Sequence, residues 1–126
     1  MFCVDTNFLI DLLHGEEEAV ELASELKLSE VILTTINLYE LYLGEMIVGK
    51  GLSDAKEMRR DFQVKEVKEK HVGEAAEIQK RLMDRGQRIP ALDALIAGVA
   101  KGEEATLITD DKHFRKIGDL ETKFYK

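Results

Sequence analysis

The sequence predicts an α/β fold: a central, mostly parallel sheet of four to five strands with helices on both faces, a three-layer sandwich. Three observations carry this. Short apolar runs, Phe2–Val4, Val31–Leu33 and Leu107–Ile108, recur between longer stretches of helical periodicity. Strands that alternate with helices pair in parallel, and the crossover helices cover both faces. The chain has 126 residues, 44% of them hydrophobic, which is one domain's worth and can supply a core, so residues 1–126 are expected to form a single domain.

The elements follow in order. Phe2–Val4 opens the chain as a strand and contains Cys3, the only cysteine. Phe8–Leu13 is a short helix that ends at Gly15. Glu16–Leu28 carries Val20, Leu22, Ala23 and Leu26 at helical spacing, with acids in its first turn where the helix dipole favours them. Val31–Leu33 is the second strand, and Leu38–Val48 is a helix that follows Asn37. Both of these helices are expected to be core on one side, Tyr39, Tyr42, Met46 and Ile47 included. Leu52–Phe62 is a mostly charged helix. Gln63–Val67 alternates and is a candidate strand. His71–Arg85 places Val72, Ala75, Ala76, Leu82 and Met83 at helical spacing and stops at Gly86. Ala91–Ala100 has Pro90 at its head and Gly102 past its end, both in preferred positions. Leu107–Ile108 follows, and Leu120–Tyr125 is a candidate edge strand.

Composition narrows the function. With 25 acidic against 18 basic residues the net charge is −7, which favours solubility and does not advertise nucleic-acid binding. One cysteine allows neither a disulfide framework nor a zinc cluster. The N-terminus lacks a basic region followed by an apolar stretch, and no apolar run approaches a membrane span. A cytoplasmic protein without a membrane partner is therefore expected.

Acids stand where apolar segments make them costly. In ALDALIAGVA, residues 91–100, Asp93 is the only side chain able to form a strong hydrogen bond. A helix that is apolar all round is a buried one, and a buried carboxylate needs a partner or a cleft. Glu40 is the only charge in INLYELYLG. Asp5 closes FCV, and Asp110 and Asp111 close ATLIT. Each has a structural reading as well. Glu40 lies three residues after Asn37, a capping-box spacing. Asp93 in a first turn complements the dipole. Asp5 can cap the next helix, and Asp110-Asp111 can be a turn. The case for chemistry is the coincidence of four. In a parallel α/β layer, ends of strands and first turns of helices converge on one edge, where ligands bind. Clustered carboxylates repel, and a divalent cation with hard oxygen ligands, Mg²⁺ or Mn²⁺, relieves this.

At this point the chain resembles the PIN-domain ribonuclease family, most closely its small VapC-type toxins. The resemblance rests on VDTN at 4–7, NLYEL at 37–41, RGQRIPALDALIAGVA at 85–100 and LITDDKHF at 107–114, in the family's order and spacing. It implies an Mg²⁺- or Mn²⁺-dependent endoribonuclease with catalytic and metal-holding residues Asp5, Glu40, Asp93 and Asp111. Hydrolysis by metal-activated water would leave a 5′-phosphate and a 3′-hydroxyl. Thr6, Asn7 and Thr109 match polar positions that line the site. His113 stands where a second acid is common, so Asp110 remains an alternative fourth ligand, and Ala91 replaces a frequent acid. The implied partners are an RNA substrate, a cognate antitoxin and a second copy in a homodimer, with Tyr39, Tyr42, Met46 and Ile47 in the region that grips the antitoxin. Arg85, Arg88, Lys112, Arg115 and Lys116 flank the motifs and are candidates for RNA backbone contacts.

Other readings fit less well. A haloacid-dehalogenase-like phosphatase needs Asp-x-Asp, and this chain has Asp5-Thr6-Asn7. A receiver domain pairs its acids near the first strand, whereas here the pair is Asp110-Asp111. A stand-alone RNA-processing nuclease and a non-catalytic PIN-like binding module stay open. His14 and His71 share no metal-ligand spacing and are expected at the surface.

Overall fold

The computed structural model describes all 126 residues, Met1–Lys126. Strand β1 (Phe2–Val4) leads into helix α1 (Thr6–Leu13) and helix α2 (Glu17–Glu25). A 3₁₀ turn at Leu28–Glu30 precedes β2 (Val31–Thr34), which passes directly into α3 (Thr35–Ile47). Then come α4 (Ser53–Asp61), β3 (Gln63–Lys65), α5 (Glu69–Asp84), α6 (Ala91–Gly102) and β4 (Thr106–Thr109). A second 3₁₀ turn at Lys112–Lys116 and β5 (Thr122–Phe124) complete the chain. The five strands form one sheet in the order β3-β2-β1-β4-β5, and every pair is parallel. Both candidate strands therefore exist, shorter than expected, as the two edges.

Side-chain alternation divides the core. Cys3, Ile32 and Leu107 face the layer of α5 and α6. Val4, Val31, Leu33 and Ile108 face α1, α2, α3 and α4. A strand buried on both faces reads as an unbroken apolar run, and that is why β1, β2 and β4 are visible in sequence. Burial also pushes the Cys3 thiol up to about 12, so it packs as a small hydrophobe. No helix is long and apolar enough to cross a membrane.

Three expectations need correction. The buried stripe of α5 is His71, Ala75, Ile78 and Leu82, while Val72 and Met83 are about half exposed (48% and 49%). His71 is thus a core residue, not a surface one. Its Nδ1 accepts from the Lys68 backbone N–H at 2.9 Å, and its Nε2 donates to Glu103 Oε2 at 2.7 Å. Lys65 and Lys70 also pair with Glu103, at 3.1 and 2.9 Å, and the His71 hydrogen bond together with these lysines holds its carboxyl down at about 2. A buried polar ring is tolerated because both nitrogens are satisfied. The helices meet closely there: a Cβ at Gly98 would lie 2.5 Å from the His71 carbonyl oxygen and 2.8 Å from the Ala75 Cβ.

The second correction concerns α3. Its core side is Asn37, Leu38 and Leu41. Tyr39, Met46 and Ile47 are exposed, at 54%, 58% and 74%, and only Tyr42 of the four aromatic and aliphatic candidates packs against the core. On α2, likewise, Val20 is exposed while Ala19 and Leu22 are buried. Third, the capping box of α3 lies one turn earlier than Asn37–Glu40. Thr34 is the N-cap and Asn37 its partner, so Glu40 sits in the second turn and takes no part in capping.

Candidate active site at the carboxyl edge of the sheet

The chain runs outward from β1 through β2 to β3, then crosses back to β4 and β5. The strand order reverses between β1 and β4, the place where parallel α/β sheets bind ligands beyond their carboxyl ends. Asp5 follows β1 and Asp110-Asp111 follow β4 at that point.

Asp5 is 4% exposed and caps α1. Its Oδ1 accepts from the Thr6 backbone N–H at 2.8 Å, and its Oδ2 accepts from the Thr109 hydroxyl at 2.8 Å. Its backbone N–H donates to the Ile108 carbonyl at 2.9 Å, which ties the end of β1 to β4. Despite the hydrogen bonds its carboxyl is pushed up to about 7, first by burial and then by the charges of Asp93 and Asp111. Asp93, in the first turn of α6, is half-buried. Burial, followed by the carboxylates of Asp111 and Glu40, pushes it up to about 6, against the opposing charge of His113. Asp93 raises Asp5, and Asp111 raises both, so the three carboxyls stand within electrostatic reach of one another.

Glu40 enters from α3. Its Oε1 accepts from the Thr6 hydroxyl at 2.6 Å. The same hydroxyl accepts from Asn37 Nδ2 at 2.9 Å. Asp111 caps the second 3₁₀ turn, accepting from the His113 N–H at 2.9 Å, and its own N–H donates to Thr109 Oγ1 at 2.9 Å. Of the adjacent pair, Asp111 is the one whose charge acts on both Asp5 and Asp93. Asp110 instead accepts from Asn7 Nδ2 at 3.3 Å and lies 3.8 Å from Lys126 Nζ. Lys126 and the Tyr125 hydroxyl both hold Asp11 of α1, at 3.0 and 2.6 Å, which docks the end of the chain beside Asp110.

The structure thus ties Asp5 and Asp111 to Thr109 and Glu40 to Thr6, with Asp93 within electrostatic reach of Asp5, Glu40 and Asp111. No Lys or Arg forms an ion pair with any of the four acids. Arg85 donates to the Lys116 carbonyl at 2.8 Å, Arg115 stacks 3.9 Å above the Phe124 ring, and Arg88 and Lys112 are exposed. Asn37 is the participant that sequence reasoning read only as a helix cap. Its signal was present as Thr34-x-x-Asn37, a capping-box spacing that competed with the one read at Glu40.

The donor set can be tested against a metal ion. It offers carboxylate oxygens and hydroxyls without sulfur, and its acids lack cationic partners. No three His, Cys, Asp or Glu side chains already stand close enough to enclose an ion. The donor chemistry fits a hard cation, Mg²⁺ or Mn²⁺, and the spacing of the acids is not that of a closed cage. Beside Glu40 a groove of about 250 Å³ runs between α1, α3 and α4, with Ile10, Leu13, Leu41 and Val48 along it and Glu45 and Lys50 at its sides.

Comparison with known proteins bears on the fold and the family. The fold is similar to VapBC2 from Rickettsia felis bound to a DNA fragment from their promoter, at 23% identity over 99% of this chain and 98% of that one, with a TM-score of 0.91. It is also similar to FitAcB from Neisseria gonorrhoeae, at 26% identity over 97% and 96% of the two chains and a TM-score of 0.82. A third likeness is to Mycobacterium tuberculosis VapC20, a Sarcin-Ricin loop cleaving toxin, at 20% identity over 96% and 98% and a TM-score of 0.76. No curated protein matches the sequence. The family of the PIN domain matches residues 2–120, nearly the whole length, and this chain belongs to it.

Proposed function

We propose that this chain, as one domain, is an Mg²⁺- or Mn²⁺-dependent endoribonuclease and the toxin of a VapBC-type toxin–antitoxin pair. The observation that carries the reading is the elevation of Asp5 and Asp93 by burial and by neighbouring carboxylates, Asp111 acting on both, at the strand-order reversal, with no Lys or Arg paired to them. Membership of the PIN domain family supports it. So do structural neighbours described as VapBC pairs and, in one case, as a toxin that cleaves the sarcin–ricin loop.

In this reading Asp5, Asp93 and Asp111 would hold the ion, with Glu40 serving it beside them. When bound, the ion supplies a water of lowered pKa and an electrophilic contact for a phosphate oxygen. Thr109 and the Thr6 backbone N–H lock the Asp5 carboxylate, so that its oxygens do not rotate away. Glu40, held by Thr6, accepts a proton from water at the edge of the site. Asp110 and Asn7 form a polar rim. Arg85, Arg88, Lys112 and Arg115 contact the RNA backbone, which a net charge of −7 would otherwise repel. A cognate antitoxin covers the groove beside Glu40 and the exposed apolar residues Tyr39, Met46 and Ile47, a patch that calls for a partner. A homodimer in the cytoplasm completes the expectation. The test is cleavage of a structured RNA by purified protein. Cutting should require Mg²⁺ or Mn²⁺, stop with EDTA and vanish in Asp93→Asn; full cleavage in EDTA overturns the proposal.

A further inference from the structure

We propose that Asn37 is a positioning residue for Glu40, acting through the hydroxyl of Thr6; the inference rests on the reading of Glu40 as a carboxylate that serves the ion. The capping box of α3 uses only half of the Asn37 side chain. Its Oδ1 accepts from the Thr34 N–H at 2.7 Å and from the Thr34 hydroxyl at 3.0 Å, and the Asn37 N–H returns a hydrogen bond to Thr34 Oγ1 at 3.1 Å. Helix α3 needs nothing more from it. The other half, Nδ2, leaves the helix and donates to the Val4 carbonyl at 3.2 Å and to Thr6 Oγ1 at 2.9 Å.

This fixes a direction. The amide cannot flip, because a flipped group would set NH₂ against the Thr34 N–H and its oxygen against the Val4 carbonyl. The residue is fully buried, so water does not substitute. Thr6 Oγ1 receives the amide hydrogen, and its single hydrogen goes to Glu40 Oε1 at 2.6 Å. One oxygen of Glu40 is thereby committed, and Oε2 is left for the site.

The same device occurs on the opposite side. The Asp111 N–H donates to Thr109 Oγ1, and that hydroxyl donates to Asp5 Oδ2. Two threonine hydroxyls, each supplied by an N–H, each aim at one carboxylate oxygen. On the Asp5 side the supplying donor is backbone and comes with the fold. On the Glu40 side it is a side chain, so the sequence chose it, and it can be removed. Groups that orient a metal-holding side chain from behind affect ion affinity as well as turnover.

The experiment is a double-mutant cycle read by calorimetric titration with Mn²⁺, using Asn37→Ser, Thr6→Val and the combination, with Thr6→Ser as the conservative control. Asn37→Ser and Thr6→Val should each weaken Mn²⁺ binding about tenfold. The double variant should be no weaker than Thr6→Val, and Thr6→Ser should stay near wild type. A purely structural Asn37 would lower melting temperature in both backgrounds and leave affinity alone. Unchanged affinity in Asn37→Ser, or an effect that adds to Thr6→Val, overturns the inference and leaves the proposed function standing. Failure of the wild type to bind Mn²⁺ overturns both. If Asn37→Ser does not fold, the wild-type protein decides by NMR. Asn7 and Asn37 are the only asparagines, and the Asn37 side-chain amide signal should shift on Mg²⁺ titration with the midpoint of ion binding. A signal that ignores Mg²⁺ overturns the inference.

Discussion

Replacing Asp5 by asparagine should stabilise the metal-free protein at neutral pH. The folded state raises the Asp5 carboxyl from 3.8 to about 7. A folded value above the unfolded one means that the native state holds its proton more tightly, so stability is greatest below the unfolded value and falls as pH rises through the folded one. At about 1.4 kcal/mol per pH unit, the full cost of ionising Asp5 above pH 7 is about 4 kcal/mol. Asp93, pushed up to about 6, titrates within the same window and adds to the fall. Asparagine keeps an oxygen for the Thr6 N–H but places an NH₂ against the Thr109 hydroxyl, which already accepts from Asp111. That mismatch costs about 1 kcal/mol. The net gain is about 3 kcal/mol at pH 8, on the order of 10 °C in melting temperature for a chain of this size. Circular dichroism melts in EDTA between pH 5 and pH 8 measure it. Wild type should melt lower at pH 8 than at pH 5, and Asp5→Asn should flatten that slope. Added Mg²⁺ should restore wild type more than the variant. A wild-type melting temperature that does not fall across this range, or an Asp5→Asn protein that melts below wild type at pH 8, refutes the reasoning.

Three further outcomes are expected. Gly98→Ala should cost about 2 kcal/mol, because its Cβ meets the His71 carbonyl at 2.5 Å and α5 must move away from α6; the midpoint of urea unfolding reports it. Glu103→Gln should cost about 2–3 kcal/mol at neutral pH, since the lowered carboxyl of Glu103 contributes stability above pH 4.5 that is lost as pH falls toward 2; the variant should show less acid sensitivity between those values. Glu40→Gln should leave the metal-free melting temperature nearly unchanged while RNA turnover falls by one to several orders of magnitude, roughly what a few kcal/mol of transition-state stabilisation is worth.

Much of this fold was legible because a parallel sheet writes itself plainly. β1, β2 and β4 are buried on both faces and leave runs such as FCV and VIL. The edges β3 and β5 are three residues each and show only weak alternation. Helix positions were legible, but helix faces were less so. Apolar residues are not confined to the interior, and Val20, Val72, Met83 and Ile47 all lie outside. His71 was misread for the converse reason: its partners Lys68 and Glu103 make it a core residue, and neither is implied by the histidine itself. At the site, the four acids stood out because each sits in an apolar segment that makes a carboxylate expensive. The bond from Asn37 to Thr6 did not, because it joins residues 31 positions apart, and nothing local to either announces the other.

Stability and proposed chemistry meet at these acids. Asp5 is fixed to the centre of the sheet by the Ile108 carbonyl and Thr109, and Asp93 by a helix whose buried face runs from Ala94 to Ala100. Neither element can yield to the repulsion between the two carboxylates without breaking core contacts. The repulsion is therefore retained by the folded chain and is relieved only by a proton or a cation. On the proposed reading these two compete for the same oxygens. Near pH 5 Asp5 and Asp93 hold protons, and an ion must displace them; near pH 8 they are ionised, and the ion meets charge already in place. Apparent Mg²⁺ affinity should therefore rise over the range in which metal-free stability falls. The two trends share one cause, so a change that flattens one, such as Asp5→Asn, flattens the other.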